Sequence, residues 1–182
     1  MENTSYYHDK VKPGRETRLL NEWIMMDAAL GSNDAISYHI MRRSPSGLPL
    51  EYEITFLQKS IIGVESPDVQ GLQKPVFGDR HILRITIPNN YPSTDGGYPD
   101  FKFVTEVWHP NIRFFGEFKG HVCLNFLNSG ASTPLVEYIA KVAAYLRYDD
   151  YHALDEEPYP EDQTVAIWVR EQAEPRGWTK FI

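Results

Sequence analysis

Cys123 is the chain's one cysteine, in the run Gly120-His121-Val122-Cys123-Leu124-Asn125. It follows a rigid turn, His109-Pro110-Asn111-Ile112. The thiolate is the reactive form of cysteine, so a thiol downstream of a fixed polar turn suits acyl transfer. A solitary thiol cannot close an intramolecular disulfide and supplies no multi-thiolate zinc site. The competing reading is a small buried hydrophobe, the commonest fate of a free cysteine. Neighbouring residues have to decide between the two.

The chain has 182 residues, 42% hydrophobic and 24% charged, with a net charge of −7. That is enough for one domain burying roughly 70% of its unfolded surface. No run of 18 apolar residues is present, so no transmembrane helix is expected. The first residues lack the apolar core of a secretory signal. Without a signal or disulfides, the composition fits a reducing cytoplasm. The acidic balance and the absence of a basic block argue against nucleic acid as partner.

Residues 1–14, punctuated by Pro13-Gly14, read as a flexible leader, and 15–182 as a single domain. From Arg15, apolar residues recur at helical spacing (Leu19, Leu20, Trp23, Met26, Leu30) until Gly31-Ser32-Asn33-Asp34 stops the pattern. Arg15 and Arg18 fall at the N-terminal end of this helix, where charges are normally solvated. Strands are expected over Ser37–Met41, Glu51–Ile62, Arg80–Ile87 and Phe101–Val107, each alternating apolar and polar residues as in an antiparallel sheet with one face covered. Thr133-Pro134 suggests a helix with Thr as N-cap and Pro in the first turn. Its stripe is Leu135, Ile139, Val142, Ala143 and Leu146, with Glu137 and Lys141 as an i,i+4 pair. An acidic loop spans Asp149 to Asp162, and a short helix runs from Thr164 to Ala173. Helix, strand meander, Cys-bearing loop and further helices make an α+β domain.

Tyr91-Pro92, Pro99, Lys102-Phe103, His109-Pro110-Asn111-Ile112, Gly120, Cys123-Leu124, Leu127 and Pro134 occur in an order that resembles the ubiquitin-conjugating (E2) enzymes. The match is densest over residues 91–146. The resemblance implies their UBC fold: an N-terminal helix, a four-stranded antiparallel meander, a Cys-bearing loop and C-terminal helices. It also implies that Cys123 accepts ubiquitin or a ubiquitin-like protein as a thioester from an E1-like activating enzyme and passes it to a lysine of a protein substrate. ATP would be used by that partner, so this chain needs no cofactor or metal, and neither a nucleic-acid nor a membrane partner is implied. Asn111 matches the family's oxyanion donor, a role compatible with holding the loop. His109, Pro110, Tyr91 and Pro92 match structural positions, and the first helix, with Arg15 and Arg18, matches the E1-docking element. The family carries an acid after the helix that follows the cysteine. The loop offers Asp149, Asp150, Asp155, Glu156 and Glu157, and spacing puts Asp155 or Glu156 nearest, although the same stretch also reads as a solvated acidic loop. His121 would share a face with Cys123 if their segment is extended.

The sequence also departs from the pattern. The stretch from Asn111 to Cys123 is longer than usual through Arg113-Phe114-Phe115-Gly116-Glu117-Phe118-Lys119. Ser132 stands at the family's usual Trp, Asn125 at its usual Asp, and 93–97 enlarge the Tyr-Pro loop. In these features the chain resembles E2-like proteins of bacterial conjugation operons as much as eukaryotic ones. Two rival readings stay open. One is a UBC-fold binding module without chemistry. The other is a cysteine hydrolase pairing Cys123 with His109, His121 or His152.

Overall fold

The computed structural model describes residues 4–7, 10–93, 97–124 and 133–180. Asn125, Leu127, Ser132 and the 94–96 part of the Tyr-Pro loop lie outside the described residues. No described helix is long and apolar enough to cross a membrane.

Helix α1 (Arg15–Leu30) buries Leu19, Leu20, Trp23, Met26 and Leu30, as its periodicity requires. It ends where Gly31 N–H donates to Asp27 O at 2.9 Å. Within the expected leader, residues 4–7 form a 3-10 turn, and Tyr7 packs against Trp23 with ring centroids 5.4 Å apart.

Four antiparallel strands follow in sequence order: β1 (Ile36–Arg43), β2 (Pro49–Val64), β3 (Pro75–Thr86) and β4 (Asp100–Phe103). Ile54, Leu83 and Phe103 pair across one row, and Tyr52, Ile85 and Phe101 across the next. All six are buried beneath the helices. β2 and β3 run farther than the alternation predicts, because register shifts between Leu57 and Ser60 and between Ile61 and Gly63 break the two-residue period. β4 is shorter than expected. Regular pairing stops at Phe103, although Val107 is still buried.

Helix α2 (Leu135–Leu146) packs the predicted stripe into the main core. Its start differs from expectation: Pro134 is the N-cap residue, and no side chain of its own segment caps it. The cap comes from α1 instead, with Leu135 N–H donating to Glu22 Oε2 at 2.8 Å. Glu22 is only 1% exposed. Its other oxygen accepts from Arg18 Nε and from the Tyr91 hydroxyl, both at 2.6 Å. Arg18 also donates to Thr133 O at 2.9 Å. The sequence reading of Arg18 as a solvated charge is therefore corrected: its guanidinium lies inside a network joining α1, the Tyr91-Pro92 turn and the entry to α2. Arg15 is half-buried and donates to Pro88 O at 3.1 Å.

A second apolar cluster, containing Ile61, Trp108, Tyr148, Val165, Trp168 and Val169, lies beyond the far end of the β2–β3 hairpin. Helix α3 (Gln163–Trp168) and the π-type turn Val169–Ala173 supply much of it, in agreement with the predicted helix. Trp108 N–H donates to Ile61 O at 2.8 Å and fastens the chain to β2 just before the His-Pro-Asn turn.

Removing Glu22 leaves a half-buried guanidinium, a buried hydroxyl and a helix-start N–H without their acceptor. Glu22→Ala is expected to cost about 3–5 kcal/mol, as for other broken buried ion pairs. For a chain of this size that lowers Tm by roughly 6–20 °C, read by calorimetry. An unchanged Tm would show that the network contributes nothing.

Candidate active site

Cys123 stands on a short extended segment, and two backbone ladders set it in place. On one side Phe103 N–H donates to Gly120 O at 2.8 Å and Val122 N–H to Phe101 O at 3.0 Å, adding the segment to the edge of β4. On the other, Arg113 N–H donates to His121 O and Cys123 N–H to Asn111 O, each at 2.9 Å, around an antiparallel bridge between Ile112 and Val122. The extra residues 113–119 therefore leave the site as a hairpin and return to it in register. Gly120 is required at the return: its φ is +89°, and a Cβ there would sit 2.3 Å from Phe103 O.

Side chains alternate across an extended segment. Ile112 and Val122 are buried in the core, so Asn111 and Cys123 face the opposite side together. Directly opposed residues in such a pair have Cβ atoms about 5 Å apart. Cys123 is partly exposed, unlike a core cysteine. The Tyr145 hydroxyl of α2 donates to Cys123 O at 3.2 Å.

Asn111 Oδ1 accepts the backbone N–H of His152 at 3.0 Å. A backbone N–H can only donate, so this bond fixes which end of the amide is which. The amide NH2 is left as the free-facing donor. Asn111 N–H in turn donates to His109 Nδ1 at 3.1 Å, which puts the neutral ring's proton on Nε2. His109 is fully buried, stacked on Tyr145 with centroids 4.9 Å apart and bordered by Tyr148 and Tyr151. Burial drives its pKa down to about 3, against an upward pull from the backbone at Asp150. It is a neutral, buried ring that accepts the Asn111 N–H within the turn.

The acidic loop sorts differently from the spacing argument. Asp155, the expected site acid, is exposed and accepts from Gln163 Nε2 at 3.3 Å, at the start of α3. Asp150 is the loop acid whose charge reaches Tyr145, the residue that donates to Cys123 O. Burial, then the charges of Asp150 and Cys123, hold the Tyr145 hydroxyl above its ordinary pKa. Asp150 also pairs with Lys141 at 3.8 Å. His121 does share the face of Cys123, but its ring lies between Asp100 at 3.8 Å and Glu161 at 3.6 Å. His152 Nε2 lies 3.1 Å from Glu156 O. No histidine among the described residues hydrogen-bonds the Cys123 sulfur, and none of their His, Cys, Asp and Glu side chains cluster as a metal site.

Asp162 went unrecognised in the sequence. It is 3% exposed and caps α3, with Oδ1 accepting from Thr164 and Val165 N–H at 3.1 and 3.2 Å. Its Oδ2 accepts from Phe114 and Phe115 N–H at 2.9 and 3.3 Å. Its own N–H donates to Pro110 O at 3.0 Å. Asp162 thus joins the inserted hairpin and α3 through its carboxylate and the His-Pro-Asn turn through its backbone N–H. The N-cap pattern Asp162-Gln163-Thr164 was readable; the distant partners were not.

The comparisons agree with this architecture. The ubiquitin-conjugating enzyme family model matches residues 66–153, which include the turn, the hairpin and Cys123. This part of the chain is similar to the ubiquitin-conjugating enzyme family. Ubiquitin-conjugating enzyme E2-22 kDa of Drosophila melanogaster is 30% identical over 100 residues, covering 54% of this chain and 44% of the fly protein. Ubiquitin-conjugating enzyme E2 K of Homo sapiens is 31% identical over 102 residues, covering 55% of this chain and 45% of its own. Ubiquitin-conjugating enzyme E2 pex4 of Dictyostelium discoideum is 38% identical over 58 residues, covering 32% of this chain and 35% of its own. The match thus spans less than half the length of these relatives. The modest identity fits a divergent relation to these proteins.

Two outcomes test the site's supports. Asp162→Ala should cost about 2–4 kcal/mol in urea melts, beyond an ordinary cap, because four backbone donors lose a charged acceptor; Asp162→Asn, which keeps an acceptor, should recover part of it. Acid should also destabilise the fold through His109. Between pH 6.5 and about 3 the unfolded ring binds a proton that the buried ring refuses, so stability is full above this window and falls as pH drops through it. The slope reaches about 1.4 kcal/mol per pH unit, and His109→Gln should flatten it. Equal slopes would remove His109 as the cause.

Proposed function

We propose that this chain is a conjugating enzyme that carries ubiquitin or a ubiquitin-like protein as a thioester on Cys123 and transfers it to a lysine amine. The observation that carries this reading is the backbone pairing of Asn111 with Cys123, which sets an oriented amide donor beside a partly exposed thiol.

In the first step the Cys123 thiolate attacks the carbonyl carbon of a donor thioester, and the donor sulfur leaves as a thiolate. The exchange is nearly isoenergetic and needs no histidine base. In the second step a neutral lysine amine attacks the same carbonyl, negative charge gathers on its oxygen, and the bond between that carbon and Cys123 Sγ breaks, releasing the Cys123 thiolate. The Asn111 NH2 donates to that oxygen, a contribution of roughly 3–4 kcal/mol for a single well-placed donor. Desolvation lowers the amine's pKa, whereas a carboxylate raises it. Asp150, taking the place assigned to Asp155, therefore orients the amine and accepts its surplus proton late. The donor is an activating enzyme that spends the ATP; this chain contributes neither cofactor nor metal. In this reading that enzyme docks on α1, where Arg18 is occupied internally and Arg15, which donates to Pro88 O, is half-buried. A cysteine hydrolase lacks support: His109 is buried and neutral, and His121 and His152 face carboxylates and a carbonyl.

Purified chain mixed with an activating enzyme, its modifier and ATP should give an adduct that vanishes under thiol reductant. Cys123→Ser should leave a reductant-stable oxyester. Normal charging of Cys123→Ala would overturn the proposal. Asn111→Asp separates anchoring from chemistry, since it keeps an acceptor for His152 N–H and loses the donor. It should fold and charge, yet discharge to free lysine about 100-fold more slowly. Full discharge activity in that variant would assign Asn111 to the loop alone.

A further inference from the structure

A groove of about 700 Å3 opens between the end of the β2–β3 hairpin, the inserted hairpin and α3. Its floor is aromatic: Trp108 meets Phe114 and Trp168 nearly edge-on, at 72° and 84°. Its walls expose large apolar side chains from three separate elements, Phe115 at 49%, Ile167 at 42% and Val76 at 38%. Three unrelated segments presenting bulky apolar groups to one concavity is the surface signature of an interaction site.

The polar lining narrows what would fit. Trp168 Nε1 donates to Gln73 O at 2.9 Å, whereas Trp108, 5% exposed, has an indole N–H with no acceptor. A buried donor without a partner is a desolvation cost carried in the groove floor. The charged lining residues are Glu106 and Glu171, with no lysine or arginine among them. Lys119 satisfies Glu106 at 2.6 Å in an exposed pair, and such pairs are weak enough to exchange. No described residue pairs with the exposed Glu171 carboxylate. A second copy of this chain, itself at −7, is disfavoured against an acidic rim, and so is a nucleic acid.

We propose that this groove docks a peptide segment of another protein, an apolar anchor residue flanked by lysine or arginine. The anchor packs against Phe115, Ile167 and Val76, and the flanking cation meets Glu171. The inserted hairpin supplies Phe114 and Phe115, so the groove belongs to this chain's departure from the family's spacing. Asp162 connects those two residues to the His-Pro-Asn turn, which gives an occupant a path to Asn111 and Cys123.

The test pans a random 12-residue peptide display library against the full chain, then measures enriched peptides by fluorescence anisotropy. Enriched peptides should place an apolar residue next to lysine or arginine and weaken as salt rises. Ile167→Asp should reduce affinity at least about tenfold, and Glu171→Lys by several-fold. Both variants should melt like wild type and keep whatever charging of Cys123 the wild type has. Failure to enrich peptides, an acidic consensus, or binding indifferent to both substitutions would overturn the docking proposal. Peptide binding without any charging would leave it standing and overturn the thioester reading alone.

Discussion

A single buried carboxylate holds the frame of this molecule. Glu22 lies on the core face of α1, and both its oxygens are committed: one to Arg18 and Tyr91, the other to the first N–H of α2. Such a group is stable inside a protein only when its hydrogen-bonding capacity is met. Meeting it fixes the relative position of three elements far apart in the chain. α2 then carries Tyr145, which touches both the Cys123 carbonyl and the His109 ring. The placement of the thiol traces back through α2 to α1.

The second constraint is electrostatic economy around the His-Pro-Asn turn. His109 is kept neutral by burial and spends its Nδ1 on the Asn111 N–H, and Asn111 spends its Oδ1 on His152. Both acceptor atoms are thus committed to shape, and the amide NH2 is left facing the thiol's side of the turn. A donor held this way pays little reorganisation when charge appears nearby, the condition under which one hydrogen bond counts most in catalysis.

Much of this was legible in the sequence, for identifiable reasons. The α1 stripe from Leu19 to Leu30 and the alternation at Tyr52, Ile54 and Phe56 are local periodicities, and both elements formed where those patterns lie. Cys123, His109 and Asn111 stood out because few residue types do such chemistry and their order was specific. Glu22, Asp162 and the internal role of Arg18 were not legible. Each gains its meaning from partners scores of positions away, and local pattern treats a charged residue on a helix as solvated. The acid of the 149–162 loop was not legible for a related reason: spacing along an irregular loop does not fix direction, and Asp155 meets Gln163 while Asp150 meets Lys141.

The hairpin between Asn111 and Cys123 has a consequence for how such a protein changes over time. Its base is closed by the Ile112–Val122 bridge and its flank is tied to Asp162, so its tip, with Gly116 at a φ of +80°, can alter without moving the thiol. Doubling the length of a flexible loop costs only about 0.6 kcal/mol in closure entropy. Residues can accumulate there almost freely, making this a growth point where lineages can acquire new surface while inheriting an unchanged reaction centre.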